Sequence, residues 1–214
     1  MLIEWYAHQM ELLHIDLRMN TAADASMLQD YDEVIVSTGA APRKLNLPGL
    51  TDSRVMEAID YLRGQETGET VVVIGGGLTG VELAYDLARK GKKPVIVEMQ
   101  KDILQVPGLC AANSNMLREI LRYYEIPVLT STSLLGIQEQ NGLKVRVQDE
   151  NGSERLIEAD NCILSVGYIP VRTLEGALKK AGVPQEKIHV IGDAHEVGNL
   201  MTVIHEAYEL CYTL

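Results

Sequence analysis

The sequence predicts an α/β fold: a parallel sheet built around one βαβ unit, then a three-stranded β-meander, then a return to parallel strands. Three observations carry that expectation. Thr70–Ile74 is β-branched and uncharged, as a central parallel strand should be, and a glycine-rich turn follows at once. Beyond that turn the period becomes helical, with Leu78, Val81, Ala84, Leu87 and Ala88 on one face. Further on the period becomes two, with Leu143, Val145 and Val147 alternating with Lys144, Arg146 and Gln148.

The remaining elements follow in chain order. Residues 2–14 place Leu2, Trp5, Tyr6, Met10 and Leu13 at helical spacings, and Ile15–Met19 reads as a short strand. Asp32-Glu33 leads into a buried strand, Val34–Val36, and Ser37-Thr38-Gly39 turns away from its end. Ala40–Leu50 holds Pro42, Pro48 and Gly49 and reads as a loop. A helix is expected around Val55–Leu62, with a boundary in the polar stretch Gly64–Gly68. After the first βαβ helix, Gly91 suits its C′ position. Pro94 opens a second buried strand, Val95–Val97, which ends at Glu98. A helix near Asn115–Tyr124 would turn Leu117, Ile120, Leu121 and Tyr124 inward, with Asn113 or Ser114 as its N-cap. Asn141-Gly142 and Asn151-Gly152 are hairpin signals within the meander, residues 133–159. Cys162–Val166 is another apolar strand, left through Gly167–Pro170. Ile188–Ile191 is the last strand, ended by Gly192-Asp193, and Met201–Tyr212 is a closing helix.

Composition narrows the function classes. The 214 residues suffice for one large domain or two small ones, and the absence of Phe leaves the core to aliphatic side chains. A formal net charge of −11 disfavours nucleic acid and anionic membranes as partners, since both select Lys/Arg-rich surfaces. Cys110, Cys162 and Cys211 lie far apart and form no CxxC, so no local redox pair, zinc set or cluster-ligand set is expected. Such a sparse, odd count suits a reducing cytosol. The opening residues lack a basic region and apolar run, and no run approaches the ~20 apolar residues of a membrane span. A cytoplasmic location without membrane contact is therefore expected.

Gly75, Gly77 and Gly80 fit GxGxxG between a strand and a helix. In such a loop Gly75 permits the tight turn, Gly77 lets a diphosphate approach the backbone, and Gly80 lets helix and strand pack closely. The helix start offers free N–H groups and partial positive charge to phosphates, with Gly76, Leu78 and Thr79 completing the cradle. Glu98 lies 18 residues past Gly80, at the end of the second strand, where a carboxylate can accept hydrogen bonds from ribose hydroxyls. It would repel a 2′-phosphate, so NAD(H) is expected over NADP(H), with Lys101 close enough to soften that preference. A simple packing turn beside a solvated acid is the bland alternative. Glu82, read here in the first helical turn, either complements the helix dipole or lies beside nicotinamide. The pattern as a whole predicts a Rossmann-like dinucleotide-binding unit.

With the glycine loop in view, the longer strings become recognisable. GGGLTGVELA (75–84) with IVEMQKDIL (96–104) resembles the NAD-binding domain of flavoprotein reductases that bind two dinucleotides. VIVSTGAAPR (34–43), GYIP (167–170) and IHVIGDAHE (188–196) resemble that family's ATG strand end, its GxxP return and its second FAD motif. Over essentially its whole length the chain is similar to the C-terminal part of old yellow enzyme-like NADH:flavin oxidoreductases, a group containing 2-enoate reductase, 2,4-dienoyl-CoA reductase and NADH oxidases, and LIEWYAHQMELLHIDLRMNT (2–21) also resembles that group's helix and strand. The resemblance implies that Gly75, Gly77, Gly80 and Glu98 hold NAD(H). It places Gly167 and Tyr168 near the nicotinamide half, and Thr38, Gly39 and Asp193 against FAD. An acid following a strand-end glycine, as Asp193 does, is also often a turn former, and His195 and His205 receive no catalytic role.

The resemblance further implies an interleaved organisation. Residues 1–69 and 166–214 would form an incomplete FAD-type half, and residues 70–165 the inserted NAD(H)-binding domain. A first FAD-binding unit, an FMN barrel and a [4Fe–4S] cluster would all lie upstream, making the chain part of a longer flavoenzyme. NADH and the remainder of that enzyme would be its partners. Alone it would bind NAD(H), retain little or no FAD and show little turnover. An apolar seam left where a strand is missing could support a homo-oligomer. Two rivals share the glycine loop: a non-enzymatic NAD(H)-sensing module and an S-adenosylmethionine methyltransferase. The paired STGAAP and IGDA strand ends argue against the first, and the helix-opening third glycine against the second.

Overall fold

A computed structural model describes residues 2–139 and 142–214. In chain order its elements are α1 (Leu2–Leu12), α2 (Ala25–Leu28), β1 (Val34–Val36), β2 (Ala40–Pro42), β3 (Val55–Glu57), α3 (Ala58–Leu62), β4 (Thr70–Ile74), α4 (Leu78–Arg89), β5 (Lys93–Val97) and α5 (Ala111–Tyr123). They continue with β6 (Val128–Leu129), β7 (Thr132–Glu139), β8 (Leu143–Asp149), β9 (Glu154–Ala159), β10 (Asn161–Leu164), β11 (Tyr168–Pro170), α6 (Thr173–Lys180), β12 (Ile188–Val190) and α7 (Leu200–Thr213). Two compact units emerge, Met1–Ala40 with Pro170–Leu214, and Ala41–Ile169. Strands β2 and β11 form a two-stranded sheet of their own.

The second unit is layered around a parallel sheet in the order β3-β10-β4-β5-β6, with the β-branched β4 in the middle as expected. Its alternate side chains divide between two cores. Val71 and Val73 pack with Val81, Ala84 and Leu87 of α4 and with Leu117 and Leu121 of α5. Val72 and Ile74 pack with Leu143, Val145 and Val147 of the antiparallel meander β7-β8-β9. The period-two pattern of β8 therefore fills the face of β4 that the helices leave open. Each such Val or Leu contributes about 1.5–3 kcal/mol by leaving water. Helix α4 ends in a Schellman motif: Gly91, at φ +76°, donates to Ala88 O (2.9 Å) and Lys92 N–H donates to Leu87 O (3.0 Å).

The unit boundaries fall at 40/41 and 169/170, so residues 41–69 pack with the βαβ unit. The cause is β3: its residues Val55–Glu57 pair in parallel with β10. The first turn of the expected 55–62 helix is therefore strand, and only Ala58–Leu62 is helical. The stretch Gly64–Gly68 is tied down rather than a boundary, because Gly68 N–H donates to Asn161 Oδ1 at 2.7 Å. Helix α5 starts at Ala111 with Cys110 as N-cap, which puts Asn113 and Ser114 inside it. Tyr124 faces outward, 39% exposed, edge-on to Tyr85. Of the two hairpin signals, Asn151-Gly152 closes the β8–β9 turn, whereas Asn141 lies outside the described residues.

The first unit is a small sheet in which β1 pairs in parallel with β12. Val34, Val36 and Ile188 pack on Leu178 of α6, a helix that sequence reading missed along with the short α2. The strand expected at Ile15–Met19 does not form. Ile15, Leu17 and Met19 are all exposed, and among the described residues no strand lies beside them. Strand β1 is buried on one face only, with Ile35 exposed over a shallow groove of about 320 Å³ lined by Leu28, Tyr31, Val34, Val36 and Leu174. Neither α1 nor α7 buries a residue. Among the described residues no helix is long and apolar enough to cross a membrane.

Replacing Gly91 by Ala should lower the stability of the chain by about 1 kcal/mol, because a Cβ is strained at positive φ. Urea unfolding of the variant reads this directly, and an unchanged midpoint would remove the cap from the account.

Candidate functional site

The glycine loop joins β4 to α4, and each of its glycines meets a different constraint. Gly75 has φ +107°, a conformation other residues rarely adopt, and a Cβ there would strike the Ser165 carbonyl at the end of β10. A Cβ on Gly80, in the first turn of α4, would strike the Gly75 carbonyl. Packing demands both glycines. Gly77 is different. It is the N-cap of α4 at φ −68°, an ordinary backbone angle, and an added Cβ would meet nothing within 4 Å. Neither conformation nor contact within the chain requires glycine there, so the space over Gly77 is open to something outside the chain.

Helix α4 begins with no side-chain cap and no acid in its first turn. The amides of Leu78, Thr79 and Gly80 precede the first bond of its ladder, Val81 N–H to Gly77 O at 3.1 Å. The positive end of the helix dipole thus faces the opening over Gly77.

Glu98, 8% exposed, turns onto the loop. Its Oε2 accepts the Gly76 N–H at 2.6 Å and its Oε1 accepts the Gln100 N–H at 2.7 Å. Each carboxylate oxygen keeps a further lone pair, so a hydroxyl can still be accepted. Gly76 is held on two more sides. Its carbonyl accepts the Leu104 N–H at 2.8 Å, and an added Cβ would lie 2.6 Å from Ile103 Cγ2. Leu104 is a buried non-glycine residue at φ +58°, a backbone costing about 1–2 kcal/mol. Around it Arg118 of α5 grips both oxygens of Asp102 at 2.8 Å and the Ile103 carbonyl at 2.7 Å. That guanidinium holds the Asp102 carboxyl below its usual range, chiefly through the hydrogen bonds it donates. Asp102, Leu104 and Arg118 were missed in the sequence: a φ > 0 leucine has no residue-type signature, and Arg118 lies one helix beyond the motif.

The other expected residues fall into two groups. Glu82 is exposed in the second turn of α4 rather than the first, and Lys101 is exposed just past Glu98. Gly167, at φ +89°, accepts the Arg43 N–H through its carbonyl at 3.0 Å. Tyr168 is half-buried, and burial pushes its hydroxyl pKa up, with Glu57 and Asp60 adding to the effect. These residues belong to the second unit. Thr38, Gly39 and Asp193 belong to the first. There Thr38 Oγ1 donates to Val171 O at 2.6 Å and Gly39 turns at φ +73°. Asp193 sits in a 3-10 turn and its Oδ1 accepts the Gly198 N–H at 3.0 Å, the turn-forming bond anticipated for it. His195 Nδ1 lies 2.5 Å from Glu206 Oε1, a local bond. His205 is exposed. Among the described residues no group of three or more His, Cys, Asp or Glu could hold a metal ion, and Cys162 is buried, its thiol pushed up to about 12.

Comparison with known proteins shows the family to which the chain is similar. The family model described as pyridine nucleotide-disulphide oxidoreductase matches residues 6–198. Cinnamate reductase of Clostridium sporogenes is 37% identical over 213 residues, 98% of this chain and 31% of that protein. NADH oxidase of Thermoanaerobacter brockii is 29% identical over 227 residues, 99% of this chain and 32% of that protein. Among solved structures, a complex of 2-naphthoyl-CoA reductase with 2-naphthoyl-CoA superposes with TM-score 0.85 at 26% identity, over 99% of this chain and 32% of that one. The chain thus spans about a third of the length of the relatives it matches.

Two alanine variants separate packing from openness in the loop. Gly80→Ala should destabilise by about 1–3 kcal/mol, since backbone must move to admit the methyl. Gly77→Ala should cost less, about 1 kcal/mol or under, the loss of a glycine N-cap and no more. Equal losses at the two positions would show that Gly77 is also a packing residue.

Proposed function

The chain belongs to the pyridine nucleotide-disulphide oxidoreductase family, and from that premise we propose that it is the NAD(H)-binding part of a flavin-dependent NADH oxidoreductase. The observation that carries this reading is the open space over Gly77 at an uncapped helix start. A diphosphate fits there: it would take the amides of Leu78, Thr79 and Gly80, close to a backbone with no Cβ in the way. Gly75 and Gly80 hold the turn that aims those amides. Glu98, at the loop, would accept the adenosine ribose hydroxyls with its remaining lone pairs and disfavour a 2′-phosphate. Glu82, Gly167 and Tyr168 would line the path toward the nicotinamide.

Family membership implies FAD beside the pyridine nucleotide. When both are bound, the nucleotide supplies a hydride and the flavin accepts it. No side chain here has to move a proton for that transfer; the residues bind and orient. In the first unit, Thr38 and Gly39 at the end of β1 and Asp193 after β12 would face the flavin cofactor. Asp193 keeps one carboxylate oxygen beyond its bond to Gly198. The described residues contain one GxGxxG loop, so these positions would meet only part of FAD and hold it weakly by themselves. The three dispersed cysteines do not fit a cluster, and an FMN or a [4Fe–4S] group of the larger enzyme would be held by other residues. The names of the relatives point to an enoate-type acceptor or oxygen as the end of the electron path. Those relatives are enzymes, and nothing favours the sensing module or the methyltransferase.

Titration calorimetry tests the reading. The chain should bind NADH more tightly than NADPH. Gly77→Ala should weaken NADH by about ten-fold or more, equivalent to about 1.4 kcal/mol. Glu98→Gln should narrow the gap between NADH and NADPH. An unaltered NADH affinity in Gly77→Ala would sink the assignment of the loop.

A further inference from the structure

The Gly76 peptide is positioned by a chain of contacts that starts on α5, outside the loop. Its carbonyl takes the Leu104 N–H at 2.8 Å, and its Cα face rests on Ile103. Both residues depend on what precedes them. Asp102 Oδ1 accepts the Ile103 N–H at 2.9 Å, and Arg118 donates to both Asp102 oxygens and to the Ile103 carbonyl. Leu104 stays in left-handed backbone immediately after this fork. Among the described residues, the hydrogen bonds of Arg118 go to Ser114, Asp102 and Ile103, and none reaches residues 75–80.

We infer that Arg118 is a positioning residue for the pyridine nucleotide, acting through Asp102, Ile103 and Leu104 on the Gly76 peptide. This rests on the NAD(H) reading above and adds a residue to it. The guanidinium suits the task because its planar fork satisfies a carboxylate bidentately and a carbonyl at once, which an ammonium cannot do. Without it, Leu104 relaxes toward negative φ. Its N–H then leaves the Gly76 carbonyl, and the peptide that orients Gly77 loses one of its three restraints.

The test measures NADH affinity in the whole chain at a temperature where every variant is folded. Arg118→Gln should weaken NADH on the order of ten-fold, the scale of loss expected when a binding geometry shifts slightly. Arg118→Lys should weaken it as well, since charge without the fork does not hold the turn. A second substitution separates positioning from general stability. Glycine adopts positive φ freely, so Leu104→Gly in the Arg118→Gln background should restore NADH affinity while lowering the thermal midpoint. A merely structural role predicts the opposite, with affinity falling further as stability falls. If the double variant does not fold, amide hydrogen exchange in Arg118→Gln decides: the Leu104 N–H should exchange faster, while unchanged protection overturns the inference. Wild-type binding with an unaffected Arg118→Gln variant overturns this inference alone. A wild-type chain that binds no NADH overturns the function proposed above, and this inference with it.

Discussion

The hydrogen bond from the Gly76 amide to the buried Glu98 carboxylate joins the two halves of the candidate site. Charge-assisted bonds of this kind are short and strong, and a buried carboxylate without its donors would be costly. The acid that ends β5 is therefore part of the loop that ends β4. Their separation is set by the sheet itself, since Gly75 N–H donates to Val97 O at 2.8 Å where β4 and β5 end side by side. With Gly76 held at its amide, its carbonyl and its Cα, the loop has one face left open, over Gly77 and the start of α4.

This arrangement divides the glycines by purpose. Gly75, Gly76 and Gly80 are crowded by the protein's own atoms, whereas Gly77 meets none of them. Such a residue points outward to a ligand more directly than the motif does, because many tight turns collect glycines for packing alone. The same reasoning limits the first unit. Its Asp193 already serves its own turn, its Thr38 hydroxyl is already bonded to the Val171 carbonyl, and its sheet has two strands.

The second unit was legible from sequence because its elements are strongly periodic. β4, α4, β5 and the meander each repeat their pattern over five or more residues, and the period changes at the glycine turns. The expected 55–62 helix failed in its first turn because Val55–Glu57 is short and pairs with β10, a partner about a hundred residues away that no local pattern reveals. The expected Ile15–Met19 strand failed for the converse reason, apolar residues without a neighbour to pair with. Helix α6 escaped notice because Leu178 is its only buried residue. Within the site, the loop glycines and Glu98 could be read from spacing. The brace built by Arg118 could not, since a guanidinium arriving from the next helix has no fixed interval in the chain.

The most direct measurement is a two-dimensional amide spectrum of the labelled chain followed through an NADH titration. The account predicts that the largest saturable shifts belong to Gly76, Gly77, Leu78, Thr79 and Gly80, joined by Glu98 and Gln100. Saturable shifts centred elsewhere, with these amides unmoved, would contradict it.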